Sequence, residues 1–309
     1  MKKKKIQVGG QAVLEGVMMR SPEFVTVAVR KPDGKILLKK EAYLSWTKRY
    51  KFFGWPLIRG GVTLIESMVL GIRALNFSAD VAMKEEDKKN RKTKKRSDLW
   101  SKMVIGATVV FALLLGILIF FYIPLLLTEL TKIEGTVGFN LIDGGIRLVF
   151  FLGYIALISQ WKEIRRVFEY HGAEHKSIFA YESDRPLTLK GAREYTTHHP
   201  RCGTSFLLVV MLVAMLVFIC LGKPQDLSDR LIRFLFIPVI GGISYEIIRL
   251  SGKKYGKRLA GILVAPGLWL QNITTREPDA KQLEVALVAL RGVLNMKIDS
   301  SVEMVRTAS

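Results

Sequence analysis

Cysteine is nearly absent. The only two in 309 residues, Cys202 and Cys220, fall in a single uncharged run. If that run is helical, the eighteen steps between them span about 27 Å, so no disulfide joins them within the chain. Acidic residues are scarce too, 27 Asp and Glu against 47 Lys and Arg, for a formal charge of +20. No secretory signal is visible: the lysines at positions 2–5 lead into a stretch containing Gln11 and Glu15, with no cleavage pattern behind it. The glycine-bearing stretch from Gly9 to Gly16 has neither the spacing nor the flanks of a nucleotide-binding fingerprint.

What the chain has in quantity is apolar sequence. Half of its residues are hydrophobic despite the high charge, a combination that fits long apolar runs flanked by basic residues. Met103 to Leu127 carries no charge for 25 positions and Cys202 to Gly222 none for 21, each enough to cross roughly 30 Å of hydrocarbon. Leu148 to Trp161 and Phe234 to Tyr245 are shorter. They become spans if Arg147, Lys162, Arg233 and Glu246 sit at the interface or snorkel to it.

Charge supports four spans. Nine Lys or Arg lie between Lys84 and Lys102, before the first span. The connections then alternate between poor and rich in basic residues, ending with Arg249, Lys253, Lys254, Lys257 and Arg258. By the positive-inside rule both termini are cytoplasmic, in a multi-pass protein of the cell membrane. The expected partners are the lipid bilayer and anionic lipid at its cytoplasmic leaflet. Nucleic acid or a ribosome is a weaker candidate, because the Lys88 to Arg96 cluster has no interleaved aromatics for base stacking.

The predicted fold is therefore mainly α, with about four transmembrane helices and a small N-terminal cytoplasmic β-unit. Strands are expected over 6–13, 24–30 and 35–44, with a Pro-Asp-Gly hairpin turn between the last two. The β-rich unit covers 1–55. Residues 56–102 hold an apolar helix and a basic linker, and the membrane region covers 103–250. In the helix, Arg59, Glu66, Arg73 and Asp80 recur every seven residues as one narrow charged stripe. That stripe faces either water at the headgroups or a polar cleft in the protein. The remaining 251–309 are cytoplasmic or interfacial, with a Pro-Gly interruption at Pro266 and an amphipathic helix over 283–294 that docks onto the cytoplasmic part.

All four histidines lie within 29 residues of one loop, 160–204. His171 and His175 are four apart, so helix continuing from the second span would put both imidazoles on one side, able to share a metal. Glu174 completes the H-x-x-E-H order, in which two His ligands accompany a general-base Glu. His198, His199 or Cys202 could supply a third ligand. The cofactor expected is zinc or another divalent transition metal, which takes nitrogen and sulfur donors.

Four segments carry a resemblance. Residues 9–20 (GGQAVLEGVMMR), 171–176 (HGAEHK), 199–206 (HPRCGTSF) and 274–278 (TTREP) are similar to the YqhQ-like family of bacterial membrane proteins. The family is described as a domain of unknown function and as predicted metal-dependent enzymes. The resemblance implies a membrane protein with a metal site, and it favours His171, His175, Glu174, His199 and Cys202 over His198. It supplies no substrate.

Two functions follow. One is a metal-dependent hydrolase acting on a lipid, a lipid-linked or a membrane-proximal substrate. Glu174 would be its base, His171, His175 and His199 or Cys202 its ligands, and Gln11, Glu15 and Arg20 possible neighbours. The other is a non-enzymatic scaffold or biogenesis factor whose basic face binds anionic lipid, a ribosome or a membrane complex. A transporter is disfavoured, since the long spans hold few ionisable residues and no repeat.

Overall fold

The computed structural model describes residues 5–56, 58–89, 98–200, 202–251 and 257–305. Much of the basic sequence expected before the first span (90–97) and after the fourth (252–256) lies outside the described residues, as does Arg201.

Strands β1 (Gly9–Val13), β2 (Gly16–Arg20), β3 (Phe24–Arg30) and β4 (Ile36–Ala42) form an antiparallel meander. A fifth strand, β5 (Glu303–Val305), joins from the far end of the chain, parallel to β4. The hairpin turn forms as its residues dictate, with Gly34 at φ 89° and Asp33 Oδ1 accepting from the Lys35 N–H at 3.0 Å. The first strand starts later than expected, at Gly9, and β4 is trimmed to 36–42. β2 has no counterpart in the expectation, for a physical reason. Val17 and Met19 face one buried side of the sheet while Met18 faces the other, also buried. A strand covered on both faces shows no polar alternation.

The helices follow in order: α1 (Trp46–Arg49), α2 (Ile58–Lys89), α3 (Asp98–Ile117), α4 (Ile123–Leu130), α5 (Thr136–Ile158) and α6 (Lys162–Glu182). Then come α7 (Leu189–Arg193), α8 (Gly203–Leu221), α9 (Leu227–Leu235), α10 (Ile237–Ser251), α11 (Lys257–Thr274) and α12 (Ala280–Val293). One face of the sheet is covered by α6 and α12, where Tyr170, Ala173, Leu283 and Leu290 pack on Val17, Ala28 and Leu38. α12 starts on a capping box, Asp279 with Gln282, and takes the Thr26 hydroxyl on its Ala289 carbonyl at 2.8 Å. The other face is covered by the second half of α2, where Ala74, Phe77 and Val81 meet Val25, Val27 and Val29.

Among the described residues five helical segments are long and apolar enough to cross a membrane: 58–82, 106–130, 136–158, 203–221 and 227–249. The expected count of four is thus exceeded by one, α2. Two members of its stripe have partners in the protein. Arg59 forms a bidentate pair with Glu246 of α10 at 2.6 Å for each bond. Buried Glu66 accepts from Ser45 Oγ at 2.8 Å and from the Trp46 N–H, beside Arg20 at 3.5 Å.

The shorter apolar runs belong to longer helices than expected, and this brings charge inside them. α5 begins at Thr136 and so contains Asp143 and Arg147. Arg147, expected at the interface, turns inward. Its guanidinium donates to the Phe120 and Phe121 carbonyls at 2.9 and 3.3 Å, in the π-helical segment linking α3 to α4, while Asp143 accepts from Nε at 2.9 Å. Arg233 is also buried, donating to Asn140 Oδ1 at 2.9 Å and to the Gly222 carbonyl at 2.7 Å.

One expected continuity and one expected break are reversed. α5 and α6 are separate helices, because the chain turns extended at Trp161 (ψ 135°). α11 runs unbroken through Pro266. There Gly267 lies so close to Ser205 that an added Cβ would meet it at 2.4 Å, so Pro-Gly marks a tight crossing with α8 rather than a helix end.

Candidate metal centre

α6 carries His171 and His175 on one side, with ring centroids 4.4 Å apart. Four residues advance a helix by about 400°, so the two rings lie side by side, edge to face at 61°. Each imidazole is anchored through its near nitrogen. His171 Nδ1 donates to the Thr274 carbonyl at 2.8 Å, and His175 Nδ1 donates to the Thr197 carbonyl at 2.5 Å. A carbonyl can only accept, so both rings carry their proton on Nδ1 and present an Nε2 lone pair. That is the arrangement that backbone carbonyls impose on metal-binding histidines.

Cys202 supplies the third donor. It is the N-cap of α8, where its sulfur accepts from the Thr204 N–H, and Sγ lies 3.2 Å from His171 Nε2. The donor atoms of His171, His175 and Cys202 all lie within 4.8 Å of one another. Around zinc such donors sit roughly 3–4 Å apart, so small side-chain movements close the triangle on an ion. The donor set fits a transition metal.

Glu174 projects from α6 toward the outer edge of β1, where its carboxylate lies beside Gly10 and feels that residue's N–H. A Cβ at Gly10 would meet Glu174 at 2.8 Å, so only glycine leaves room for this side chain. Burial pushes the Glu174 carboxyl up from its ordinary range, opposed by His171, His199 and the Gly10 N–H. Burial moves His175 the other way, down, against the pull of Cys202. Both shifts come from desolvation of the charged form.

The other sequence candidates divide. His199 is buried, but it is not one of the three converging donors. Its Nε2 lies 3.4 Å from Glu182, and its backbone is clamped by Gln271, which accepts from His199 N at 2.7 Å and donates to its carbonyl at 2.9 Å. His198 points away, toward Asn272 and Thr196. Glu15 pairs with Arg166 and accepts from Tyr170 at 3.3 Å. Gln11 lies against Gly71 of α2, and Arg20 serves Glu66. None of these three neighbours reaches the donor triangle.

What sequence reading misses is the scaffold of the site. Thr197 and Thr274 act through backbone carbonyls, so their side chains carry no signal of the role. The four segments of the resemblance do meet here. Gly10 contacts Glu174, the Arg276 backbone packs on Gly172, Glu277 pairs with buried Lys176 at 2.5 Å, and Cys202 faces both histidines.

Residues 55–296 match the family described as Protein of unknown function (DUF1385). The chain is also 34% identical over 300 residues to the uncharacterized protein YqhQ of Bacillus subtilis (strain 168), covering 94% of this chain and 92% of the relative. The chain belongs to this family. No solved structure matches it. The family match contains the three donors and both anchoring carbonyls, whereas Gly10 lies ahead of it.

Proposed function

We propose that this chain is a multi-pass protein of the bacterial cell membrane with a hydrolytic metal centre on its cytoplasmic side. The membrane reading is supported by apolar side chains left bare on the outside of the segments, such as Phe111, Leu113 and Leu114 at 66, 62 and 62% exposure. Water does not tolerate such a surface; lipid does.

Sheet connectivity supports the span count. The chain leaves the sheet at Ala42 and comes back with α6, whose Glu174 meets β1. It leaves again after Glu182 and comes back with α12 and β5. Each excursion must cross the bilayer an even number of times. The second holds two candidates, 203–221 and 227–249; the first holds three, one of them α2, half of which packs on the sheet. With α2 kept on the sheet's side there are four spans, and the positive-inside bias puts both termini in the cytoplasm.

At the centre, His171, His175 and Cys202 would hold zinc or another divalent transition metal. When bound, such an ion supplies Lewis acidity and makes water acidic near neutral pH. Glu174, desolvated and beside the Gly10 N–H, would serve as the base for a water held there. Cys202 caps an apolar helix of 19 residues, so the site lies where a span meets water. Its substrates would be lipids, lipid-linked molecules or membrane-proximal peptide segments. The observation that carries this reading is the pair of Nδ1 anchors, which aim two Nε2 lone pairs at one thiol. The first test is metal content: about one zinc per chain in protein purified without chelator, lost in the His171→Ala/His175→Ala variant.

The 3.2 Å contact between Cys202 and His171 also favours a second reading. Here His171, oriented by Thr274, activates Cys202 as a nucleophile without metal. Metal-free protein alkylated by iodoacetamide at Cys202, and protected by His171→Ala, would favour it; a stoichiometric metal that shields Cys202 would count against it.

A further inference from the structure

α2 has the length and hydropathy of a span, yet its second half is committed to the sheet. At about 100° per residue, its sheet-facing residues Leu70, Ala74, Phe77 and Val81 share one side of the helix. Ile65, Met68, Ile72 and Leu75 fall within an arc of roughly 80° almost opposite, and each is 45–58% exposed. The helix thus has two apolar faces, one covered by the sheet and one bare.

A second bare surface adjoins it. The segment from α1 into α2 exposes Trp46, Tyr50, Phe52 and Trp55, interleaved with Lys48, Arg49 and Lys51. Neither α1 nor the 3₁₀ turn after it (Lys51–Gly54) contains a buried residue. The first turn of α2 is pinned to α10 by the Arg59–Glu246 pair and by Gly60, which lies so close to Gly242 that an added Cβ would meet it at 2.7 Å. Glu246 and Gly242 lie three and seven residues before Arg249, which ends the candidate span 227–249. The bare stripe and the aromatic segment therefore continue directly from the end of a span.

We infer that α2 does not cross the bilayer but lies along its surface, with the bare stripe and the segment 44–55 seated in an anionic headgroup layer. The inference rests on the membrane reading above and deepens it. Three observations choose lipid as the occupant. Connectivity leaves α2 on the sheet's side of the membrane. The surface is continuous with a span. Tryptophan and tyrosine mixed with lysine and arginine is the chemistry that the interfacial zone selects. Stacked nucleic-acid bases would account for the aromatics but not for the adjoining aliphatic stripe.

The test uses the full chain in sealed vesicles of phosphatidylcholine and phosphatidylglycerol, in a Cys220→Ser background. Lys51→Cys and Asp80→Cys should react with an impermeant maleimide from the same side. A fluorophore on Met68→Cys or Ile72→Cys should be quenched by lipid bearing a nitroxide near its headgroup, and by aqueous iodide at least several-fold less than the same fluorophore on Asp80→Cys. Labelling from opposite sides overturns the inference. So does a fluorophore at 68 and 72 that is open to iodide, or one shielded without lipid quenching, as a second copy or bound RNA would leave it. Failure of the membrane reading itself is seen separately, as protein released from membranes by alkaline carbonate.

Discussion

His171 Nε2 and Cys202 Sγ lie 3.2 Å apart, brought together from the middle of one helix and the N-cap of another. The sulfur serves two purposes there: it caps α8 and it faces a histidine whose other nitrogen is already tied to a carbonyl. These roles can be separated by substitution.

Cys202→Ser keeps a side chain that caps well, so helix α8 and the melting temperature should hold, with a stability change of about 1 kcal/mol or less. Metal binding should not hold. Loss of even an outer-sphere partner costs about 10–100-fold in affinity, and loss of a direct donor should cost no less. Competition with a colorimetric chelator reads this; unchanged affinity would remove Cys202 from the ligand set.

Glu174→Gln preserves volume and an acceptor for the Gly10 N–H. The variant should fold and keep its metal, while turnover of a hydrolysed lipid or peptide substrate falls about 10²–10⁴-fold. Loss of metal together with activity would instead make Glu174 a ligand.

The helix that carries the histidines is held in place by backbone packing. A Cβ at Gly172 would stand 2.0 Å from the Arg276 carbonyl oxygen, which belongs to the segment that anchors His171. Gly172→Ala should destabilise by about 3 kcal/mol. Gly9, with nothing within 4 Å of an added Cβ, should tolerate alanine within about 0.5 kcal/mol. Thermal melts of the two variants in the same detergent check the contrast.

Much of this was legible before the fold was known, and the gaps have physical causes. The uncharged runs give the apolar helices, and the i, i+4 histidines and Cys202 are the three donors that the fold brings together. β2 is hidden because both its faces are buried. The inward turn of Arg147 is hidden because its partners are backbone carbonyls in a π-helical segment, one of them (Phe120) four residues before Pro124, which has no N–H to offer it. His199 looks equivalent to its neighbours in sequence, and only the Gln271 clamp and Glu182 separate it from the donor triangle.

Buried Glu66 ties α2 to the sheet unit through Ser45, Trp46 and Arg20. Glu66→Ala leaves Arg20 and the Trp46 N–H without that carboxylate, and should cost about 1–3 kcal/mol. Glu66→Gln keeps an acceptor and should cost less. Equal melting temperatures for Glu66→Ala and the parent would show that this junction contributes nothing to stability.

The central claim is that two carbonyl-anchored histidines and a helix-capping cysteine form a metal centre. It is tested most directly by elemental analysis of the parent chain and His171→Ala/His175→Ala, purified side by side without chelator. The account predicts about one transition-metal ion per parent chain and almost none in the variant. Metal-free parent protein that also fails to take up zinc on titration, or equal metal in both proteins, would contradict it.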